Sequence, residues 1–521
     1  YLSGGYLRSE PASILTDIRS DNTLEERIPH MSRSRPALTF AILAISVGSF
    51  ATLQSLVVPV LPVIQHDLGT TTPGATWTMT AWLISAAVAT PLLGRVGDLV
   101  GKRRILIVAL AAVALGSILA AFSPTIGVLI AARVVQGLGG AMFPLAFGIV
   151  RDELPAHRLA SAIGALASII AIGSGIGTVL AGPLADVLGW RGLFLVPVVF
   201  TVAGAVLARL FIPESPTRAS GGVNPWSAVL LSGWLVALLL PLSTGAQWGW
   251  GSPGVIGLLV LAALLLASWI VVELRSRNPL VDMRMMRLPG VWAMNAAAVF
   301  IGAAMFAVFS FFPRFVQTPT ASGYGLGATV AESGMLMLPM LVTMAVTGFL
   351  SGPLSRWIGF RAQIVIASGI IALSSVSIGL FHSSLLEVAA GAGVFGIGLG
   401  IVYAAITSVV VQSVPPTQTG IASGMNANLR TVGSAVGAAL MTAMVTGTTL
   451  PNGLPAESGY TEGFVTAGAL AFGALLVTVA GILVARSQRL AGVAEPVVTT
   501  AESPFAESEV EPELELAPAL S

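Results

Sequence analysis

Arg133 and Arg430 raise the first chemical question of this chain, because both stand well inside long apolar runs. At the centre of a membrane helix an arginine costs about 2.5–3.5 kcal/mol on the insertion scale, so each must face protein, a wet cavity or a partner group. Gln136 follows Arg133 at i,i+3 spacing and shares its helical face. A third group combines both signs of charge: Gly94-x-x-x-Asp98-x-x-Gly101-Lys102-Arg103-Arg104. There a carboxylate can accept hydrogen bonds from a helix N-terminus or from Lys and Arg, while the glycines admit a close helix and a sharp turn. This is the chemistry of holding and releasing charge rather than of breaking bonds.

Other chemistries find no residues. The chain has no cysteine, which excludes disulfides, thiolate metal sites and thiol catalysis. It has no Gly-x-x-x-x-Gly-Lys-Ser/Thr phosphate loop, no Ser-His-Asp constellation and no metal-ligand spacing, so neither an enzyme nor a cofactor is expected. The net charge of +1, without a basic patch interleaved with aromatics, gives no reason to expect a nucleic-acid partner.

The elements that must position these charges are apolar. Hydrophobic residues make up 55% of the chain and charged residues only 9%, far below a soluble domain. Fourteen windows of about twenty apolar residues, each able to cross a hydrocarbon core of about 30 Å, lie between residues 38 and 485. The expected fold is an all-α integral membrane bundle in a lipid bilayer. Residues 1–36 read as a disordered cytoplasmic arm, with Met31 a candidate start, and 486–521 as an acidic disordered cytoplasmic tail.

Orientation follows from the loops. Those after spans 2, 4, 6, 8 and 10 hold Arg95, Lys102, Arg103, Arg104, Arg151, Arg158, Arg218, Arg275, Arg277, Arg284, Arg287, Arg356 and Arg361, whereas the odd-numbered loops hold only Arg191 and Arg314. Basic residues are retained on the cytoplasmic side, so both termini are expected there, in a multi-pass protein of the cytoplasmic membrane.

An internal repeat divides the bundle. A shift of 258 residues superposes Gly94 on Gly352, Gly101 on Gly359 and Arg103 on Arg361, in a second loop that also carries Arg356. A shift of 259 lays Gly137-x-Gly139 on Gly396-x-Gly398. Two related six-helix halves, 37–213 and 290–485, with an inserted hairpin at 226–275, are the expected domains. Parallel halves around a substrate path are the plan of a major class of secondary transporters.

These residues carry a family resemblance. The Gly94–Arg104 run closely resembles the loop signature of the major facilitator superfamily, and Arg133-x-x-Gln136-Gly137-x-Gly139-Gly140-Ala141 resembles its second motif. Fourteen spans point to its drug:proton antiporter branch. The resemblance implies that the first loop works as a conformational latch through Asp98, Lys102, Arg103 and Arg104, and that Arg133 takes part in proton coupling or substrate handling. Leu99 stands where the family often has a basic residue, and span 5 carries Gly173, Gly177 and Gly182 with Pro183 after them. Gly137, Gly139, Gly140, Gly173, Gly177 and Gly182 are the candidate helix-packing glycines. Arg133 has an alternative role, as a structural arginine bridging carbonyls of neighbouring helices.

All twenty-four acids lie in tails, loops or near span ends, so a mid-membrane carboxylate is not available as proton carrier. Asp98, Asp152, Glu153, Glu332 and Glu387 are the remaining candidates. The path must then be lined by neutral polar, aromatic and basic groups: Gln54, Ser55, Trp77, Thr80, Trp82, Asn295, Tyr403, Asn426 and Arg430. Asn426 and Arg430, four apart, can share a face. Such a path suits bulky amphipathic or uncharged ligands. The reading is a secondary transporter, functional as a monomer, that exports drug-like or secondary-metabolite molecules by alternating access, with protons as coupling ion. Alternatives are an uptake or facilitative carrier of a neutral solute, and a transport-dead membrane sensor or scaffold.

The loop charges generate a test. Reporter fusions after Arg104, Arg218 and Arg287 are expected to report cytoplasm, and fusions near Pro124 and Gly251 the opposite side. A cytoplasmic signal at Gly251 would remove the central hairpin.

Overall fold

The computed structural model describes residues 36–490 apart from Thr217, Ser220, Arg277, Thr449 and 451–453. Residues 1–35 of the amino-terminal arm and 491–521 of the acidic tail lie outside the described residues. Among those described, fourteen helices are long and apolar enough to cross a membrane.

In chain order the first half contains α1 (Pro36–Leu56), the short α2 (Leu61–Asp67), α3 (Thr72–Val100), α4 (Lys102–Ala121), α5 (Ile126–Gly137), α6 (Met142–Glu153) and α7 (Ala156–Phe211). Helices α5 and α6 are one span joined by a tighter 3-10 turn, Leu138–Ala141. α7 holds two spans, broken at Gly189, whose φ of 67° lies in the left-handed region. The hairpin is α8 (Pro225–Trp248) and α9 (Pro253–Arg275). After the short α10 (Met283–Met286) come α11 (Pro289–Gln317), α12 (Val330–Leu354), α13 (Phe360–Leu380), α14 (Leu385–Gln412), α15 (Thr419–Gly447) and α16 (Glu457–Leu490). α16 thus continues through Arg486 to Leu490, past the boundary at 485 that hydropathy alone suggests.

The helix starts differ in how their first amides are satisfied. On the face opposite the arginine-rich loops, Thr71, Thr125, Ser252, Thr329 and Ser384 each accept a hydrogen bond from an amide in the first turn of the helix they precede. On the arginine-rich face Asn224 caps α8 in the same way, but α4, α13 and α15 have no side-chain cap of their own. Their orphan amides must be satisfied by other parts of the chain or by water.

Packing repeats between the halves. α1 packs on α7, α3 on α5 and α4 on α7; in the second half α11 packs on α15, α12 on α14 and α13 on α16. The repeat reaches single atoms. A Cβ on Gly173 or Gly177 of α7 would lie 2.6 or 2.4 Å from the carbonyl oxygens of Gly48 and Thr52 of α1. On Gly433 or Gly437 of α15 it would lie 2.0 or 2.1 Å from those of Val299 and Ala303 of α11. In both halves glycines four apart let two helix backbones touch where no methyl fits. Each half has its own apolar core, one around Phe50, Leu106 and Phe194, the other around Phe312, Phe395 and Phe464. The hairpin joins the second core through Leu231, Trp234, Leu235 and Trp269, and Leu239 of α8 also meets Ala87 of α3 and Ala435 of α15.

Away from the arginine-rich loops, Asp67 fastens α2 to the start of the sixth span. The Trp190 indole donates to it at 2.9 Å and Arg191 pairs with it. These donors hold the Asp67 carboxyl below its ordinary value.

Gly437→Val is expected to lower the thermal midpoint by several degrees, because the obstructing atom is backbone and cannot step aside. Gly182→Ala, in open space, is expected to leave it unchanged. Size-exclusion chromatography after a heating series checks both.

Candidate functional site

The charged run does not form a loop. α3 carries Gly94 and Asp98 in its last turns and α4 begins at Lys102, so Gly101 alone separates them, at φ 130°. Asp98 is buried and reaches across to the other half, where the amides of Gly420 and Ile421 donate to its two carboxylate oxygens at 3.3 and 3.1 Å. The uncapped start of α15 is therefore capped by an acid from α3. Close approach permits this: a Cβ on Gly94 would lie 2.8 Å from the Gly420 oxygen.

Lys102, also fully buried, donates to Asp152 at 2.7 Å and to the Pro416 carbonyl at 3.4 Å, with Asp98 at 4.0 Å. Beside it Arg151 donates to the Val411 carbonyl at 2.6 Å and to Thr419 at 2.8 Å. On the arginine-rich face the two halves are thus joined by hydrogen bonds in which one partner is charged, while the ion pairs of Lys102 lie within the first half.

Arg103 and Arg104 leave this network. Both turn to Glu214 at 3.5 Å, which also accepts from the Arg103 amide at 3.1 Å and so caps α4. Asp152, Arg151, Thr419, Glu214 and Ser215, whose hydroxyl donates to Asp152, complete the arrangement. None of them was a latch candidate from sequence, although the Arg151-Asp152-Glu153 run at the end of span 4 marks the place.

The second copy differs. A turn of five residues, 355–359, follows α12, and Gly359 has an ordinary φ of −53°. Arg356, which superposes on Asp98, is exposed, and among the described residues Arg356 and Arg361 form no ion pair. Neutral groups hold this turn: Ser351 donates to Gln363 at 2.7 Å, and Gln363 donates to the carbonyls of Ser351 and Ile358 at 3.1 and 2.8 Å. Gly352 meets the other half, with Ser161 Cα 2.5 Å from where its Cβ would stand, whereas a Cβ on Gly359 would stand in open space.

The two membrane arginines have opposite surroundings. Arg133 is fully buried inside the first half, its Nε donating to the Thr78 carbonyl at 3.2 Å, Nη1 to Gln136 at 2.8 Å and Nη2 to the Met79 sulfur at 3.4 Å. Gln136 passes the chain on to Ser117 at 2.9 Å. Trp82, expected on the path, instead lies buried in the same interior, 5.4 Å from the Arg133 guanidinium and 6.0 Å from Phe50. Arg430 is half-buried and lies 4.1 Å from the Tyr403 ring. With Asn426, Thr407 and Ser423 it faces Phe143, Pro144 and Phe147 of α6 across a narrow cleft between the halves. Asn426 also donates to Asn295 at 3.0 Å. Phe143, Pro144 and Phe147 were not singled out from sequence; the proline interrupting span 4 was the available signal.

The remaining candidates lie elsewhere. Gln54 and Ser55 are half-buried at the end of α1, with Ser55 against Gly177, while Trp77 is half-buried and Thr80 buried in α3. Gly137, Gly139 and Gly140 pack on Ser85, Phe50 and Thr90. Gly182 is exposed with open space beside it.

The comparisons agree with this architecture. The model of the Major Facilitator Superfamily matches residues 43–438. A tetracenomycin C resistance and export protein of Streptomyces glaucescens is 28% identical over 423 residues, covering 78% of this chain and 76% of that protein. The multidrug transporter protein MdtP of Bacillus subtilis is 27% identical over 425 residues, covering 79% and 76%. The crystal structure of the human organic anion transporter MFSD10 shares the fold, with a TM-score of 0.64 and 16% identity over 86% of this chain and 100% of that one. With fourteen membrane helices in two related halves and a family match over most of its length, the chain belongs to the major facilitator superfamily and is a multi-pass membrane transporter.

Proposed function

We propose that this transporter exports drug-like or secondary-metabolite molecules from the cytoplasm by alternating access, driven by the proton gradient, as a monomer in the cytoplasmic membrane with both termini inside. The observation that carries the reading is the junction at the arginine-rich face, taken as cytoplasmic: Asp98 on the start of α15, with Lys102 and Arg151 beside it. Contacts of this kind can hold an outward-directed state and must part when the path opens inward. The relative described as a tetracenomycin C resistance and export protein supports the same direction. A charge-assisted hydrogen bond contributes about 1.5–3 kcal/mol, enough to bias two conformations without locking either.

Coupling is assigned to the Arg133–Gln136 pair. Arg133 holds α3 near one end of that helix, at Thr78, and Asp98 holds the same helix at the other. A change in charge or hydrogen bonding around Arg133 is thereby placed to reach the latch through one continuous helix.

Proteoliposome flux, with and without an imposed pH gradient, tests the reading; flux equally strong in both conditions would contradict proton drive. Asp98→Asn removes the charge that the α15 amides and Lys102 hold, and is expected to insert normally with transport about tenfold lower, a coupling loss of 1–3 kcal/mol. Wild-type flux from a folded Asp98→Asn protein would leave this position no latch role.

Arg133→Lys keeps the point charge and loses the planar fork that serves three acceptors. Uphill export is expected to fall far more than downhill exchange, both measured on one preparation. Equal loss of both, with poor folding, would make Arg133 a structural residue only.

A further inference from the structure

We infer that the cleft beside Arg430 is built for an elongated aromatic molecule bearing a carboxylate or phenolate, an organic anion rather than a lipophilic cation. The inference rests on the transport reading above and names its substrate class.

Arg430 stands eleven residues into α15, about 16 Å along the helix axis and so near the middle of a hydrocarbon core about 30 Å thick. Among the described residues no carboxylate lies within 4.0 Å of it. Its contact with the Tyr403 ring stabilises the cation but consumes none of its five N–H donors. Arg133, by contrast, has spent its fork on protein acceptors and is sealed from the cleft. A mid-membrane guanidinium facing the path with free donors matches an anionic oxygen pair in shape and charge.

A second observation lies on the same stripe. Ser423, Asn426 and Arg430 follow i, i+3, i+7 spacing and line the cleft together. The Ser423 hydroxyl is buried with no hydrogen-bond partner, about 10 Å along the axis from Arg430. An unpartnered buried hydroxyl is unfavourable, and a ligand acceptor would supply the missing hydrogen bond. Opposite the stripe stand the rings of Phe143 and Phe147. The site therefore offers a cation at one end, a neutral donor at the other and an aromatic wall between. The cleft is narrow here, with about 10 Å³ of space for water, so the halves must part before such a molecule enters.

The test uses the full chain in proteoliposomes and nanodiscs with three probes: 9-anthracenecarboxylate, its methyl ester and tetraphenylphosphonium. Wild type is expected to bind the carboxylate most tightly. Arg430→Gln is expected to weaken carboxylate binding about tenfold more than ester binding, and Arg430→Lys, which guards against a folding defect, to keep the preference for carboxylate over ester. Tighter binding of the phosphonium, no binding of the carboxylate, or an Arg430→Gln effect equal on carboxylate and ester would overturn the inference. Flux of the ester or the phosphonium without the carboxylate would do so while leaving the transport reading intact. Flux of none of the three would count against that reading itself.

Discussion

A helix that begins without its own cap is the constraint on which the rest turns. The first turn of α15 presents amides that Gln418 does not satisfy, and they are taken instead by a carboxylate from the other half. Left unpaired in a dry interior, those amides and Asp98 would each be costly; together they form charge-assisted hydrogen bonds at the positive end of a helix dipole. The pairing lasts only while the halves meet on this face. Water can replace it when they part, so the junction is strong enough to define one state and weak enough to release it. Gly94 and Gly420 are glycines because the two backbones must approach closely for the acid to reach.

The same economy governs the two arginines in the membrane. Arg133 is satisfied entirely from within its half and stiffens the contact of α3 with α5. Arg430 is left facing the partner half. A rigid half needs its interior polar groups closed among themselves, whereas a path between halves needs groups left open to a ligand. Burial and bonding separate the two roles, which residue type alone could not.

The spans, their number and the two-fold plan were legible in the sequence because hydropathy and glycine spacing are local properties. The partner of Asp98 was legible only as a class, a helix N-terminus, since α15 lies more than three hundred residues along the chain. The second loop repeats the spacing at Gly352 and Gly359 but not the charge: Arg356 stands at the Asp98 position, and Gln363 holds the turn. Trp82 stands among the path candidates because composition does not say which side of a helix faces its own half. Gly173, Gly177, Gly433 and Gly437 carry the clearest copy of the repeat, at 433 − 173 = 437 − 177 = 260 residues. It was hidden among the 58 glycines of the chain.

Absence of native cysteine makes a direct measurement possible. Spin labels on Val100→Cys and Gln412→Cys report the arginine-rich face across the halves, and labels on Val63→Cys and Leu386→Cys report the opposite face. If the Asp98 junction defines one of two alternating states, distance distributions by double electron–electron resonance should show the first pair short and the second long. Acidification or Asp98→Asn should shift population toward the reverse. Distributions that stay fixed on both faces across pH and in Asp98→Asn, in labelled protein that still transports, would contradict the account.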